Sequence, residues 1–452
     1  MGKLFGTDGI RGLFGGELNS ALARNVGRAL VCVLTEDGRT RPKIVVGMDT
    51  RLSSPLLLDS LMEGICEAGG DATTIDVCST PAVAHIVTKH KYDAGVMISA
   101  SHNPWDYNGI KIFGSDGFKL SDSLEEKIEA IVLSDEDFCR AEQMGSYQVF
   151  FEGVPEYIDY IKNAFGVSLD GMKIAIDCAN GSASVSAEKI FSGLGANCLM
   201  IADNPDGTNI NLDCGSTHLA GLKKVVVDNK LQLGIAFDGD ADRCLCVDEN
   251  GEEVDGDFIL AILATKLKSE GKLKGNTLVG TVMSNLGLIK FCEKNGIDFF
   301  ATKVGDRYVL EKLNESSLSL GGEQSGHVIL RELSTTGDGQ LTALALLSHL
   351  KESGKSLSEV KSVMKKYPQY MTSVYADAED KAAFKTDTLI KDIIAESENE
   401  MGERGRILIR PSGTEHLIRV MTEGDDPDIA ESICASLAEK VRKRLAELKE
   451  SR

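Results

Sequence analysis

Residues 233–251, LGIAFDGDADRCLCVDENG, hold two apolar runs on either side of a short acidic loop. Each run is the length of a buried strand, and the Asp- and Gly-rich segment between them reads as the turn. The same plan recurs along the chain. KIVVGMD (43–49), DAGVMISA (93–100), KIAIDCANG (173–181) and TLVGTVMS (277–284) are apolar, strand-like runs, the first running into a turn and the third ending in an acidic one. Helical spacing falls between them. Leu22, Val26, Leu30 and Val33 follow Asn19, and Leu57, Leu61 and Ile65 run up to Gly69-Gly70. FILAILATKL follows Asp257, and a long helix follows Asp338. Strands alternating with helices predict α/β domains.

The finer signals divide the chain further. Asn108-Gly109 and Asp116-Gly117 read as hairpin turns around KIFG, and Ser123 with Glu126 reads as a capping box before Leu124, Ile128 and Ile131. The pattern breaks over 146–156, where Pro155 sits. Three successive units share a strand, turn, helix plan, a weak repeat with poor residue identity. A smaller unit follows Tyr367-Pro368, with strands in YMTSVYAD, GRILIRPSG and HLIRVMTEG. Its last helix is capped by Asp426 and Pro427 and carries Ile429, Ile433, Leu437, Val441 and Leu445 on one face. The expected divisions are 1–153, 154–254, 255–366 and 367–452.

Composition narrows the function. The 452 residues include 49 Lys and Arg against 69 Asp and Glu, a net charge of -20. Such a surface disfavours non-specific binding to nucleic acid or anionic membranes, so an anionic ligand needs a local basic pocket. No segment approaches the roughly 20 apolar residues of a spanning helix, and the N-terminus lacks the apolar core of a signal peptide. The 11 cysteines are scattered, with Cys244 and Cys246 on one side of a strand. They read as free thiols in a reducing cytoplasm.

Five motifs carry chemistry. In DGDADR (238–243), Asp238, Asp240 and Asp242 alternate in a loop and can converge on a hard cation, for which magnesium with a phosphate is the best fit. A solvated acidic turn is the plain alternative. An EF-hand-like calcium loop would use Glu249 at its twelfth position, but Arg243 stands where that loop needs glycine. In SASHNP (99–104), Ser101 follows an apolar strand and could carry a covalent group, with His102 beside it, or the segment is a polar turn set by Asn103-Pro104. A phosphorylated Ser101 would carry about -1.5 to -2 charges, which a metal held by three aspartates could balance. RPSGTE (410–415) offers Arg410, Ser412, Gly413 and Thr414, joined by Arg419, as a phosphate cradle or an ordinary turn. In GGEQSGH (321–327), Glu323, Ser325 and His327 alternate and would face one way from an extended loop, which suits sugar hydroxyls. GTDGIRG (6–12) presents Arg11 between glycines, and Lys111 could serve as acid, base or phosphate clamp.

Together, FGTDGIRG, SASHNP, DGDADR, GEQSGH and RPSGTE, in this order between residues 5 and 424, resemble the α-D-phosphohexomutase superfamily. Gln324, VMSNLGL (282–288) and VGDRYV (304–309) are most similar to its bacterial branch that isomerises glucosamine phosphates. His416 stands where the family's phosphate loop commonly has proline. The resemblance implies three related mixed-sheet α/β domains and a smaller C-terminal α+β domain of TATA-binding-protein-like fold, around a central cleft. It implies that Ser101 is a phosphoserine and that Ser101, Asp238, Asp240 and Asp242 bind one magnesium ion. Arg243, Lys111 and His102 would surround the transferring group. Arg11, Glu323, Ser325, His327, Arg410, Ser412, Gly413, Thr414 and Arg419 would bind the sugar phosphate. Glucosamine 1,6-bisphosphate would be intermediate and primer, in a cytoplasmic enzyme whose bacterial relatives often form homodimers. The same chemistry on glucose or mannose phosphates, a metal-dependent sugar phosphatase, and a silent sugar-phosphate sensor are the competing readings.

Overall fold

The structure, a computed structural model, describes residues 4–6, 8–134, 139–412 and 416–450. Two compact units emerge. One comprises 1–283 and 297–363, the other 284–296 and 364–452.

Three sheets build the first unit. The largest has seven strands in the order Phe5–Gly6, Gly9–Leu13, Tyr107–Gly114, Ala94–Ile98, Lys43–Met48, Asp71–Val77 and Tyr147–Val149. It is mixed. The pairs from Phe5 to Ile98 are antiparallel, and those from there to Tyr147–Val149 are parallel. The second sheet has the order Glu253–Val254, Cys244–Asp248, Leu233–Phe237, Lys173–Asp177 and Asn197–Ile201. The third has the order Asp298–Thr302, Thr277–Thr281, Leu320–Gly322 and Val328–Leu330. The opening stretch therefore forms two adjacent antiparallel strands, Leu233–Phe237 and Cys244–Asp248, every residue of which is buried. Burial on both faces explains why these strands are continuously apolar rather than alternating. Cys244 and Cys246 do share a face, with their sulfurs 3.9 Å apart.

The second unit holds three antiparallel strands in the order Gln369–Tyr375, Leu417–Gly424, Gly405–Pro411. The helix Pro427–Glu450 buries Ile433, Leu437, Val441 and Leu445 as expected, and Asp426 accepts hydrogen bonds from the amides of Asp428 and Ile429. The helix Leu286–Lys294 belongs to this unit, because Glu423 accepts from the Leu286 amide at 3.0 Å and from the Asn285 side chain at 3.2 Å.

Several local expectations are corrected. Asn108-Gly109 is no turn; it lies inside the strand Tyr107–Gly114. The Asn108 side chain is buried and donates to Ser53 and Ser54 at 2.8 and 3.0 Å. A Cβ on Gly109 would stand 2.5 Å from the Ser99 carbonyl oxygen, so glycine is there for close strand approach. The helix near 123 is Asp122–Leu133 with Ser121 as its cap residue and no side-chain capping bond, so the Ser123–Glu126 box does not form. The break at Pro155 opens a helix, Gly153–Asn163, whose first turn needs no proline N–H. The cysteines are not all free, because Cys32 is disulfide-bonded to Cys139, 107 residues away. The other nine are free and mostly buried. No helix among the described residues is long and apolar enough to cross a membrane.

Candidate active site and its metal-binding loop

Two loops meet at the carboxyl ends of strands from different sheets, which is where open α/β sheets bind ligands. The serine loop follows Ala94–Ile98, and the aspartate loop joins Leu233–Phe237 to Cys244–Asp248. Ser101 Oγ donates to Asp238 Oδ2 at 2.6 Å. The loops touch along their backbones as well. A Cβ on Gly239 would stand 2.5 Å from the Ser101 carbonyl oxygen, so only glycine allows this approach.

The serine loop is held from beneath. Ser101 itself adopts φ 53°, a left-handed conformation uncommon outside glycine that marks many functional residues. Its amide donates to Ser99 Oγ at 2.9 Å, and Ser99 Oγ donates to Asp49 Oδ2 at 2.7 Å. Asp49 also pairs with Arg51 at 2.8 Å, and both side chains are fully buried. The Arg51 guanidinium donates to the carbonyls of Ser101, Asn103, Tyr107 and Pro104. Asn211 donates to two of the same carbonyls, those of Ser101 at 2.9 Å and Asn103 at 3.1 Å. The loop's shape is thus fixed through its carbonyl oxygens.

Asp238, Asp240 and Asp242 are all buried, and ligand oxygens from the three lie within 4.8 Å of one another. Thr80, at the start of the helix Thr80–His90, donates its hydroxyl to Asp240 Oδ2 at 2.6 Å and its amide to the Asp240 carbonyl at 2.9 Å. Lys111 Nζ stands 3.2 Å from Asp240, 3.5 Å from Asp242 and 3.2 Å from Asp8. Asp8 is clasped in turn by Arg11. Arg243 Nε approaches Asp238 and Asp242 at 4.0 and 3.9 Å.

The electrostatics of the trio favour a bound cation. Burial, then Asp242 and Asp240, raises the Asp238 carboxyl well above its ordinary range, and burial with Asp240 raises Asp242. Burial would raise Asp240 too, but Lys111 and the Thr80 hydroxyl outweigh it and hold that carboxyl low. Burial opposes the charge on Lys111, yet Asp240, Asp8 and Asp242 raise its pKa well above the ordinary value and keep it protonated. One oxygen on each of Asp240 and Asp242 has no hydrogen-bond partner although it is buried. Buried carboxylates so arranged are relieved by a hard divalent cation, and the all-oxygen donor set suits one. The residues present therefore fit the metal that the motif implies.

The other expected residues fall into place unevenly. His102 lies beside Ser101, with Nδ1 3.4 Å from Oγ. Burial, followed by Arg243 and Arg11, lowers its pKa to about 4, which leaves it neutral. The segment 323–327 is a tight turn between the strands Leu320–Gly322 and Val328–Leu330, not the extended loop expected. The Glu323 amide donates to the His327 carbonyl at 2.9 Å, so chain reversal rather than alternation brings Glu323 and His327 together. Ser325 sits at the tip, half-buried. His327 is buried, with Nε2 4.0 Å from Asp242 and 3.8 Å from Asp306. Asp8, Lys111, Asp242 and Asp306 line one cavity of about 480 Å3.

Arg410, Ser412 and Arg419 lie in the second unit. Arg410 and Arg419 face each other across adjacent antiparallel strands. Burial, then Arg419, lowers the Arg410 pKa. The Ser412 amide is tied to the Leu417 carbonyl at 2.8 Å, and Lys381 donates to the Ser412 carbonyl at 2.7 Å. Like charges placed opposite each other repel unless an anion bridges them. Gly413 and Thr414 lie outside the described residues.

Asp8, Asp49, Arg51, Thr80, Asn211 and Asp306 escaped the reading of the sequence. Asp49 and Arg51 had a usable signal, because they directly follow the strand Lys43–Met48, a neighbour of the strand that delivers Ser101.

Models of four domains of phosphoglucomutase/phosphomannomutase match the chain in series. They are alpha/beta/alpha domain I over 2–138, domain II over 155–251, domain III over 255–367, and the C-terminal domain over 351–440. The chain belongs to the phosphoglucomutase/phosphomannomutase family. Its architecture is the four-domain α/β one of that family. Among curated members, the protein named phosphoglucosamine mutase from Caldicellulosiruptor saccharolyticus is 50% identical over 451 residues, 99% of this chain and 100% of its own. Its namesake from Acetivibrio thermocellus is 48% identical over 448 residues, 98% of this chain and 100% of its own. Among solved structures, a phosphoglucomutase/phosphomannomutase family protein from Burkholderia thailandensis superposes with a TM-score of 0.83 at 23% identity, over 97% of both chains. An N-acetylglucosamine-phosphate mutase in its product complex gives 0.68 at 19% identity, over 97% of this chain and 96% of its own. At those identities the likeness concerns the fold.

Proposed function

We propose that the chain is a phosphoglucosamine mutase, an isomerase that interconverts glucosamine 6-phosphate and glucosamine 1-phosphate for amino-sugar nucleotide and cell-wall precursor synthesis in the cytoplasm. The observation that carries the chemistry is the 2.6 Å bond from Ser101 Oγ to Asp238, within a buried aspartate trio and beside Lys111. The full-length identity of about 50% to proteins of that name supports the amino-sugar substrate. We keep the divisions at 153, 254 and 366 as the domain boundaries of this reading.

In the reaction, Ser101 carries a phosphoryl group on Oγ. The 1-hydroxyl of glucosamine 6-phosphate attacks the phosphorus, the bond to Oγ breaks, and the hydroxyl proton passes to a base. The product is glucosamine 1,6-bisphosphate. It turns over in the site, and Ser101 Oγ attacks its 6-phosphate, which releases glucosamine 1-phosphate and restores the carrier. Such transfers depend on position and charge more than on covalent assistance. The Arg51 and Asn211 clamp holds the serine loop rigid for in-line attack, and Lys111 and Arg243 face the charge that spreads over the transferring oxygens. Asp238, Asp240 and Asp242, with a phosphate oxygen on Ser101, would hold magnesium, which withdraws charge from the phosphate and makes the serine oxygen a better leaving group. Glu323, Ser325 and His327 read the sugar hydroxyls. Arg410, Ser412 and Arg419, with Gly413 and Thr414, hold the phosphate that does not react.

An assay primed with the bisphosphate and run in parallel on glucosamine, glucose and mannose 6-phosphates tests this reading. We expect the highest kcat/KM for glucosamine 6-phosphate. A preference for glucose or mannose would make the chain a mutase of those sugars, and phosphate release outpacing isomerisation would make it a phosphatase.

Two further outcomes follow. Magnesium at a hundred times its dissociation constant should stabilise the fold by about 2.7 kcal/mol, seen as a higher unfolding temperature than in chelator. No shift would count against the aspartate trio as a metal site. Arg410→Ala should raise the KM for glucosamine 6-phosphate roughly tenfold or more, the loss of a charge-assisted phosphate contact, without changing the magnesium requirement. An unchanged KM would remove Arg410 from the phosphate site.

A further inference from the structure

The cavity beside Lys111 and Asp242 contains a carboxylate that the phosphoryl chemistry does not use. Asp306 is the first residue of the helix Asp306–Glu315 and lines that cavity. No lysine or arginine among the described residues pairs with it; its ionic contact is His327, 3.8 Å away. The adjacent Arg307 is engaged by Asp122 and by Glu311 at 2.8 Å, so it does not neutralise its neighbour. A second observation is independent of the carboxylate. His327 is only 3% exposed, and neither ring nitrogen has a hydrogen-bond partner. Its Nε2 edge faces both Asp306 and Asp242, at 3.8 and 4.0 Å, too far for a hydrogen bond to either, so a buried imidazole is left with donor capacity that a ligand can use.

Glu323, in the turn that carries His327, adds a second carboxylate close to Asp306. It accepts the Gly305 amide at 3.1 Å, which ties the sugar turn to the residue just before Asp306. The cavity-lining Asp306, with Glu323 and His327 beside it, therefore offers a carboxylate that no lysine or arginine among the described residues pairs with, a second carboxylate near it, and an imidazole without hydrogen bonds. A ligand that satisfies all three carries a cationic donor adjacent to neutral hydroxyls on one ring. A 2-amino sugar has this pattern, whereas glucose or mannose presents a neutral hydroxyl where the cation would stand. Charge-assisted hydrogen bonds are roughly twice as strong as neutral ones, so the difference is large enough to select a substrate.

We propose that Asp306 is the specificity residue that binds the protonated 2-amino group of the sugar phosphate, with His327 donating to a neighbouring ring hydroxyl. The proposal rests on the mutase reading given above and names the group that separates its substrate from other hexose phosphates.

The test compares kcat/KM for glucosamine 6-phosphate and glucose 6-phosphate in the wild-type enzyme, Asp306→Asn and Asp306→Glu, each primed with the matching bisphosphate. Asp306→Asn keeps the shape and loses the charge, so the glucosamine-to-glucose ratio should fall about tenfold or more. Asp306→Glu retains the charge and should keep most of the ratio. Wild-type enzyme supplies a check that needs no variant to fold, because N-acetylglucosamine 6-phosphate, neutral at C2, should be used at least about tenfold less well than glucosamine 6-phosphate. Equal losses on both sugars in Asp306→Asn would make Asp306 a positioning residue for His327 and overturn the proposal, as would equal use of the acetylated sugar by the wild type. If the wild type instead prefers glucose or mannose 6-phosphate, the mutase assignment itself falls. If it prefers glucosamine and Asp306→Asn leaves the ratio unchanged, only the role of Asp306 falls.

Discussion

Ser101→Ala should lose at least about 10⁴-fold in mutase turnover, because no neighbouring group can take over as phosphoryl carrier. Asp49 already accepts from Ser99 and Ser54 and pairs with Arg51, and Thr80 already donates to Asp240. Ser101 Oγ is the hydroxyl that meets Asp238. The fold should survive. Arg51 and Asn211 hold the loop through carbonyl oxygens that alanine also has, and alanine is no more strained than serine at φ 53°. The lost bond to a buried carboxylate costs about 1–3 kcal/mol. Circular dichroism should therefore show a cooperative melt near that of the parent while the coupled assay for glucosamine 1-phosphate reads background. Retained turnover would move the carrier to another side chain.

Lys111→Met should damage stability and catalysis together. The ammonium stands between Asp8, Asp240 and Asp242 with almost no solvent exposure. Four carboxylates, counting Asp238, share Lys111, Arg11 and Arg243 as their fixed cations. Removing one cation leaves buried like charges facing each other, which costs about 3–5 kcal/mol when a buried pair is broken. The protein responds by protonating a carboxylate or by binding a cation more tightly. Thermal melts in chelator should fall well below the parent, and magnesium should recover part of the loss. Turnover should drop by about a hundredfold or more even with saturating magnesium, because a preorganised positive group facing the transferring oxygens is gone. A variant as stable as the parent in chelator would show that the three carboxylates are not held together by Lys111.

What the sequence disclosed about this site follows from the range over which its chemistry acts. The aspartate loop was legible because its three carboxylates alternate within five residues between two apolar strands, and both strands formed as read. Ser101 was legible because it follows a strand end. The clamp beneath it was not. Arg51 acts 50 residues away and Asn211 acts 110 residues away, both through backbone oxygens that carry no side-chain signature. Asp8 was quoted inside its motif yet given no role, because nothing local tells that it faces Lys111 across a sheet. The 323–327 turn was misread for a different reason. Period-two alternation assumes an extended chain, and a hairpin reversal brings residues together by another route. Asn108-Gly109 carries a strong hairpin signature, but its glycine serves a close contact between strands and its asparagine serves two buried serines. Tertiary packing overrode the local preference there. The Cys32–Cys139 pair joins segments 107 residues apart, which residue spacing does not register.

The mutase reading stands or falls with Ser101 as the carrier of the phosphoryl group to and from the sugar. Intact mass spectrometry with peptide mapping decides this, on protein incubated with glucosamine 1,6-bisphosphate and magnesium and then challenged with glucosamine 6-phosphate. A single phosphate should appear on the peptide containing Ser101 after the first step and be lost, with formation of bisphosphate, after the second. Phosphate mapped to another residue, or a Ser101 phosphate that stays in place when the sugar is added, would contradict it.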